Sequence, residues 1–323
     1  MRRSRKPIVI ASRRSDLARA QAERVGAALG KLHPTLNVQF RWIESQGDRL
    51  MDRPLHDVGG KGLFTREVDR VLLDQKADLA VHSLKDLPAG DTPGLAIAAI
   101  PKRHDPRDVL VSAERFASIH DLPEGAVVGT SSPRRKAQLL RLRPDLQIEL
   151  LRGNVPTRIE RVLDPESAYQ ATLMAAAGLK RLKLQEHLDH PVATDTVLPA
   201  ACQGALALVC RSDDHVTLTR CLPLNHSVSA AEVHAERQLL RILRADCHTP
   251  VAVFAEQTEP DRFRLRAEVL SADGGRHIAI DETATARSLR KVVRAAGQKL
   301  LDQGADEILG HRPNLDDPAY RVD

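Results

Sequence analysis

Short apolar runs alternate with helix-periodic stretches through the first two hundred residues, and several of the runs end in polar, basic turns. Pro7 to Ala11 is a strand, followed by a polar turn (Ser12 to Ser15) and a helix over Asp16–Leu32 on which Leu17, Ala20, Val25 and Leu29 share a face. Asn37 to Ile43 is the next strand. A Gly-rich turn, Gly59 to Gly62, opens a helix carrying Leu63, Val68, Val71 and Leu72. Ala77 to Pro88 (ADLAVHSLKDLP) then runs from a buried strand into a charged turn, and Leu95 to Ile100 adds another strand. This rhythm predicts a mostly parallel sheet. Open sheets of that kind bind ligands outside the carboxyl ends of their strands.

Pro101 to Asp108 breaks the pattern with two prolines and marks a crossing into a second unit of the same rhythm. Its strands are Val109–Ser112, Ala126–Gly129, Gln147–Leu150 and Ala171–Ala175. Helices are expected after Pro133, near Val155–Leu163 and from AAGLKRL. A second crossing near Val197–Ala200 lets Ala205–Cys210 return to the first sheet. From Leu222 the style changes to a helix with the stripe Val228, Ala231, Ala235, Leu239 and Ile242. Three strand-like runs follow (Val251–Ala255, Phe263–Val269, Arg276–Ile280), then a helix with Leu289, Val292, Ala296 and Leu300, a compact α+β unit. The tail is polar.

The turns after the strands carry the chemistry. Arg13 and Ser15 follow the first strand, Lys61 lies in the Gly-rich turn, and Ser83, Lys85 and Asp86 follow the third. In the second unit GTSSPRR supplies Thr130, Ser131, Ser132, Arg134 and Arg135. LRGNVPTR adds Arg152 and Arg158, and GLKR adds Arg181. Any one of these arginines taken alone reads as a solvated surface group before it reads as a binding group, and Asp86 reads equally as a helix cap or surface ion-pair partner. As a set, recurring at strand ends in two sheets, they suit a polyanion, because charge-assisted Arg–carboxylate hydrogen bonds contribute about 1.5–3 kcal/mol each. The Gly-rich turn lacks the full phosphate-loop and dinucleotide patterns. His82 and His248 lack metal-protease spacing and read as structural or surface residues.

A net charge of +5 suits an anionic partner without choosing one. Aromatic residues are only 2% of the chain, which argues against stacking-based nucleic-acid binding. No apolar run approaches a membrane span, and charge returns at Arg13 before an export segment forms, so a cytoplasmic chain is expected. Cys202, Cys210, Cys221 and Cys247 form no CxxC pair, so no metal site is expected, and each reads by itself as a small buried hydrophobe.

Seven stretches in order, GGKGLFTREVD, ADLAVHSLKDLP, HDPRDVLVS, VGTSSPRR, LRGNVPTR, AAGLKRL and HAER…DCHTP, resemble the hydroxymethylbilane synthase (porphobilinogen deaminase) family. The resemblance runs from about Pro7 to Gly310. It implies an α/β fold with two domains like those of type II periplasmic binding proteins flanking a cleft, plus a small α+β C-terminal domain. The boundaries it implies are 1–103 with 200–221 for domain 1, 104–199 for domain 2, 222–312 for domain 3 and 313–323 for a tail. It further implies a transferase that joins four porphobilinogen molecules head to tail, releases ammonia at each step and works as a monomer, with no nucleic-acid or membrane partner. The primer would be a covalent dipyrromethane on Cys247. Asp86 would be the catalytic carboxylate, stabilising the cation left by deamination and moving protons; a free aspartate titrates near ~3.9 and is ionised at neutral pH. Lys85, Ser83, Thr130, Ser131, Ser132, Arg134, Arg135 and Arg158 would hold the cofactor. Arg13, Ser15, Lys61, Arg152 and Arg181 would hold substrate carboxylates.

The chain departs from the family pattern at several positions. Ala245 and Asp246 replace two glycines before Cys247, and Asp246 sets a negative charge beside a thiol that reacts as a thiolate. Asp57 stands where lysine is usual, Pro133 where an aliphatic residue is usual, Cys202 where glycine is common and Val209 where glutamate is common. Asp57 and Asp246 motivate one other reading, a catalytically impaired paralogue, and the shared bilobal architecture allows a second, a solute-binding or ligand-sensing protein. Asp86 and Cys247 favour the enzyme.

Overall fold

The computed structural model describes residues 7–45, 65–246 and 248–310. Asp57, the Gly59–Gly62 turn with Lys61, Leu63, Cys247 and the tail 313–323 lie outside the described residues. The described chain divides into a first unit of residues 7–45, 65–104 and 205–230 and a second of residues 105–204, 231–246 and 248–310.

The elements in chain order begin with β1 (Ile8–Arg13), α1 (Asp16–Leu32), β2 (Val38–Ile43), α2 (Arg66–Leu73), β3 (Leu79–Ser83) and β4 (Leu95–Ala99). The second unit opens with β5 (Asp108–Val111), β6 (Val127–Gly129), α3 (Pro133–Leu142), β7 (Gln147–Glu149), α4 (Val155–Leu163), β8 (Ala171–Ala175) and α5 (Ala176–Arg181). β9 (Leu206–Arg211) and α6 (His215–Cys221) belong again to the first unit. The chain ends in α7 (Ser227–Leu243), β10 (Val251–Glu259), β11 (Arg262–Leu270), β12 (His277–Thr285), α8 (Leu289–Asp302) and α9 (Ala305–Leu309).

The first sheet has the order β2-β1-β3-β9-β4 and the second β5-β8-β6-β7. In each, every strand but one runs the same way. β9 pairs antiparallel with β3 and β4, and β5 pairs antiparallel with β8. β1 lies parallel to β2 and β3 just as β6 lies parallel to β7 and β8. Each opposed strand is the first strand in sequence after the chain changes unit. Two sheets wound alike match the expected lobes of the type II periplasmic-binding-protein plan, with the third, antiparallel sheet β10-β11-β12 added in the second unit.

Helices on the sheets give β3 an almost continuous buried run, as parallel strands covered on both faces require. Ile8, Ile10, Leu79, Val81, Leu206 and Leu208 pack with Ala22, Val25 and Leu29 of α1. Leu110, Val128, Leu139, Ala171 and Leu173 centre the second sheet's core. Pro133 is a departure with a physical reason: it sits in the first turn of α3, where its fixed φ suits a helix and no N–H is needed. Gly274, in the turn between β11 and β12, has φ +74, and a Cβ there would stand 2.5 Å from the Ala137 carbonyl oxygen of α3. Only glycine brings the two backbones that close.

Two short helices, α6 and α9, were not legible in the sequence. α6 is set by a local cap, with Asp214 Oδ1 accepting the Thr217 N–H at 3.0 Å. β10 and β12 run past their apolar patterns, because ladder pairing with β11 continues where side chains reach solvent.

Candidate active site

A small recess in the first unit, with a cavity volume of about 40 Å³, lies at the carboxyl ends of β1 and β3 and is lined by Arg13, Ser15, Gln21, Thr65, His82, Ser83 and Asp86 among others. Four residues singled out from sequence, Arg13, Ser15, Ser83 and Asp86, thus meet in one place. β1 delivers Arg13, and Ser15 is the residue before α1. β3 ends on Ser83 and passes into a single tight turn, Leu84–Asp86, whose Leu84 is buried while Lys85 and Asp86 are half-exposed. Leu84 therefore anchors the turn, and its N–H donates to the Ala205 carbonyl at 3.1 Å.

Gln21 was missed from sequence. It is 2% exposed on α1, and its Nε2 donates to Ser83 Oγ at 2.9 Å while that hydroxyl is 3.2 Å from Gln21 Oε1. The signal was present: Gln21 falls on the buried stripe, four residues from both Leu17 and Val25. His82, read as a structural or surface residue, is buried and lines the recess, with its Nε2 3.4 Å from Asp69 Oδ1 of α2.

In the second unit the expected residues sit on turns after β6 and β7 and on the adjoining helices. Thr130 is buried, and its Oγ1 accepts the Ser132 N–H at 3.2 Å. Ser132 caps α3, its Oγ accepting the Arg135 N–H at 3.4 Å. Ser131 lies between them, half-exposed. Arg152 follows β7, and Arg158 on α4 donates from Nε to the Gly153 carbonyl at 2.7 Å. Arg181 closes α5 instead of opening a helix, and a C-terminal cation agrees with the helix dipole; its Nη2 donates to the Gly204 carbonyl at 2.6 Å.

Arg134 and Arg135 are buried and already hold a carboxylate of the chain, Asp108. Arg134 Nη2 lies 2.7 Å from Asp108 Oδ2, and Arg135 Nη2 lies 2.8 Å from Oδ1. Gln203 Nε2 adds a bond to Oδ1 at 2.8 Å, and Arg134 Nη1 donates to the Leu198 carbonyl at 2.6 Å. Burial by itself would raise the Asp108 carboxyl, but the two guanidinium groups outweigh it and hold the group far below the usual carboxylate range. Two cations on one anion leave a net positive charge behind the Thr130–Ser132 turn. Asp108 was missed because a charged residue at a strand start reads as surface.

Two departures also acquire structure. Cys202 has φ +62, a left-handed conformation in which glycine is unstrained, and its N–H donates to Glu236, whose other oxygen accepts the Ala255 N–H at 2.8 Å. Glu236 of the HAER stretch so joins α7 to β10 and the 200–204 turn. Asp246 Oδ1 accepts the His248 N–H at 2.9 Å and the Asp246 N–H donates to Thr249 Oγ1 at 3.0 Å, so its side chain is held by the backbone as in an Asx-type motif. Cys210 and Cys221, expected as small hydrophobes, are buried; burial pushes their thiols up to about 11 and about 12.

A family profile described as porphobilinogen deaminase, dipyromethane cofactor binding domain, matches residues 8–219, and one described as porphobilinogen deaminase, C-terminal domain, matches residues 230–302. The chain is 45% identical over 304 residues to a porphobilinogen deaminase of Laribacter hongkongensis, covering 94% of this chain and 97% of that one. It is also 45% identical over 305 residues to one of Ralstonia nicotianae, covering 94% and 90%. One of Bacillus pumilus is 40% identical over 303 residues, covering 94% and 96%.

Proposed function

The chain belongs to the porphobilinogen deaminase family, whose reaction joins four porphobilinogen molecules head to tail into hydroxymethylbilane with release of ammonia, and we propose that Asp86 is the carboxylate that carries it here. One observation supports this most: the Asp86 turn, Ser83, Arg13 and Ser15 border a single recess at the carboxyl ends of two parallel strands. Porphobilinogen carries an acetate and a propionate. Arg13 with Ser15 and Lys61 in the first unit, and Arg152 and Arg181 in the second, are the donors we assign to those arms. Asp86 stabilises the cation formed as the C–N bond opens, since a fixed anion at developing positive charge lowers the barrier without reorganising solvent.

The family's cofactor is a dipyrromethane, and the donor set fits an acidic group of that kind. Ser83, Lys85, Thr130, Ser131, Ser132 and Arg158 offer hydroxyl and cationic donors, while the Arg134–Arg135–Asp108 cluster keeps a net positive charge. We assign its attachment to Cys247 through a thioether; when bound it supplies the primer onto which porphobilinogen units are added. We divide the chain into domain 1 (1–103 and 200–221), domain 2 (104–199), domain 3 (222–312) and a tail. A cytoplasmic monomer completes the reading.

The intact mass of protein expressed with porphobilinogen available tests the tether. An added dipyrromethane that is absent from Cys247→Ser supports the reading, and an unmodified wild-type chain overturns it. Asp86→Asn is expected to keep its fold and its added mass while turnover falls by about 10²–10⁴-fold; near-normal turnover rejects the assignment of Asp86.

A further inference from the structure

The first unit contains a second acid–base constellation that the assignment of Asp86 does not use. His82 and Asp69 come from different elements, β3 and α2, and meet with Nε2 and Oδ1 3.4 Å apart; their side chains are 3% and 9% exposed. Each of these two atoms is buried without a hydrogen bond at bonding distance among the described residues. An imidazole and a carboxylate facing each other at this separation are one small adjustment from a hydrogen bond, and such contacts commonly tighten only when substrate is present. His82 also lines the recess that holds Asp86. A histidine serving only to pack would have no need of a buried carboxylate behind it and a ligand recess in front.

We propose that His82 is a second proton-carrying residue of this recess and that Asp69 positions it, a reading that rests on the recess being the active site. The chemistry has a proton to move. For each unit added, one C–N bond of porphobilinogen breaks, its electron pair leaving with nitrogen. The pyrrole carbon that makes the new C–C bond gives up its hydrogen as a proton. His82 gives a proton to the departing nitrogen as the C–N bond opens and takes one back from the pyrrole carbon once the C–C bond has formed, so over one addition one C–N and one C–H bond are exchanged for one C–C and one N–H bond, with no oxidant or reductant. Asp69 fixes the proton-bearing nitrogen of the neutral ring as Nε2 and stabilises the imidazolium while it exists. Asp86 keeps the separate task of facing the carbon-centred cation. Among the described residues, the charged groups that face His82 or share its recess are Asp69 from α2, Arg13 from the end of β1 and Asp86 from its own turn; α1 contributes the uncharged Leu17, Ala18 and Gln21 to the lining.

The test uses the full chain expressed with porphobilinogen available, as wild type and as His82→Asn, His82→Gln, Asp69→Asn and Asp86→Asn, each checked for fold by thermal denaturation. His82→Asn and His82→Gln are expected to lower kcat at least 10-fold, with KM little changed, and to lose one limb of the kcat–pH profile. Asp69→Asn is expected to lower kcat less and to shift that limb. Independently of turnover, ¹⁵N spectra of the imidazole should show the neutral His82 protonated at Nε2 in wild type and a mixture of tautomers in Asp69→Asn. A folded His82 variant with unchanged kcat and profile overturns the proposal, as does a tautomer indifferent to Asp69. If the His82 variants misfold, the ¹⁵N result decides. If Asp86→Asn is fully active as well, it is the recess reading that fails.

Discussion

Arg135 forks onto Asp108, Nε to Oδ2 at 3.2 Å and Nη2 to Oδ1 at 2.8 Å, in a site where the carboxylate is fully buried. This bidentate pair fixes the start of α3 against the start of β5, and so fixes the Thr130–Ser132 turn between β6 and α3. Arg134 shares the same carboxylate, so three charges are satisfied together or not at all.

Replacing Asp108 by asparagine should therefore be severe. Removing one partner of a buried ionic cluster leaves uncompensated charge and typically costs about 3–5 kcal/mol; urea denaturation measures it. The sign of the pH dependence follows from the depressed carboxyl. The group's contribution is present above the unfolded value near ~3.9 and is lost as pH falls through the much lower folded value. Wild type should lose stability below about pH 4, and Asp108→Asn should lack that component.

Gln21→Leu tests how Ser83 is held. Leucine keeps the bulk of the α1 stripe but removes both bonds to the Ser83 hydroxyl. The expected result is a KM raised several-fold with stability changed by about 1 kcal/mol or less, since a net hydrogen bond contributes about 0.5–1.5 kcal/mol and the apolar replacement offsets part of it. An unchanged KM would show that Ser83 needs no second contact.

Cys210 and Cys221 should resist thiol reagents in the native protein at pH 8 and react on unfolding, because little thiolate forms below about 11 and about 12. Raised thiol values also give a basic limb. Their contribution to stability is complete below the unfolded value near ~8.5 and declines as pH rises toward the folded ones. Rapid labelling of either residue in folded protein would contradict their burial.

Cys202→Val places a β-branched side chain at φ +62, a conformation such residues strongly disfavour, and should cost on the order of 1–3 kcal/mol. Cys202→Gly relieves the backbone while giving up a small buried side chain, so its stability should fall well above that of the valine variant. Thermal unfolding of the two side by side makes the comparison.

Much of this molecule was legible in its sequence. α1 and α4 span the stretches the sequence marked as helical, and the charged turns after β1, β3 and β6 were located because a buried apolar run must end in something polar. These are local facts. Periodicity, propensity and the residues a turn needs act over a few positions, and the seven family stretches are local too.

Other features existed only in three dimensions. Asp108 was only the last residue of a polar crossing until Arg134, Arg135 and Gln203, 26, 27 and 95 positions away, closed around it. His82 looked like a lone histidine until α2 brought Asp69 against it, and Gln21 until β3 brought Ser83. The left-handed backbone at Cys202 was likewise invisible, because a φ angle is imposed by the turn and its Glu236 anchor. Sequence by itself determined the family, the alternation of elements and where the polar turns fall. Which charges neutralise one another, and which are left for a ligand, was decided by the tertiary structure, because charge pairing depends on distance and burial, and a linear chain specifies neither.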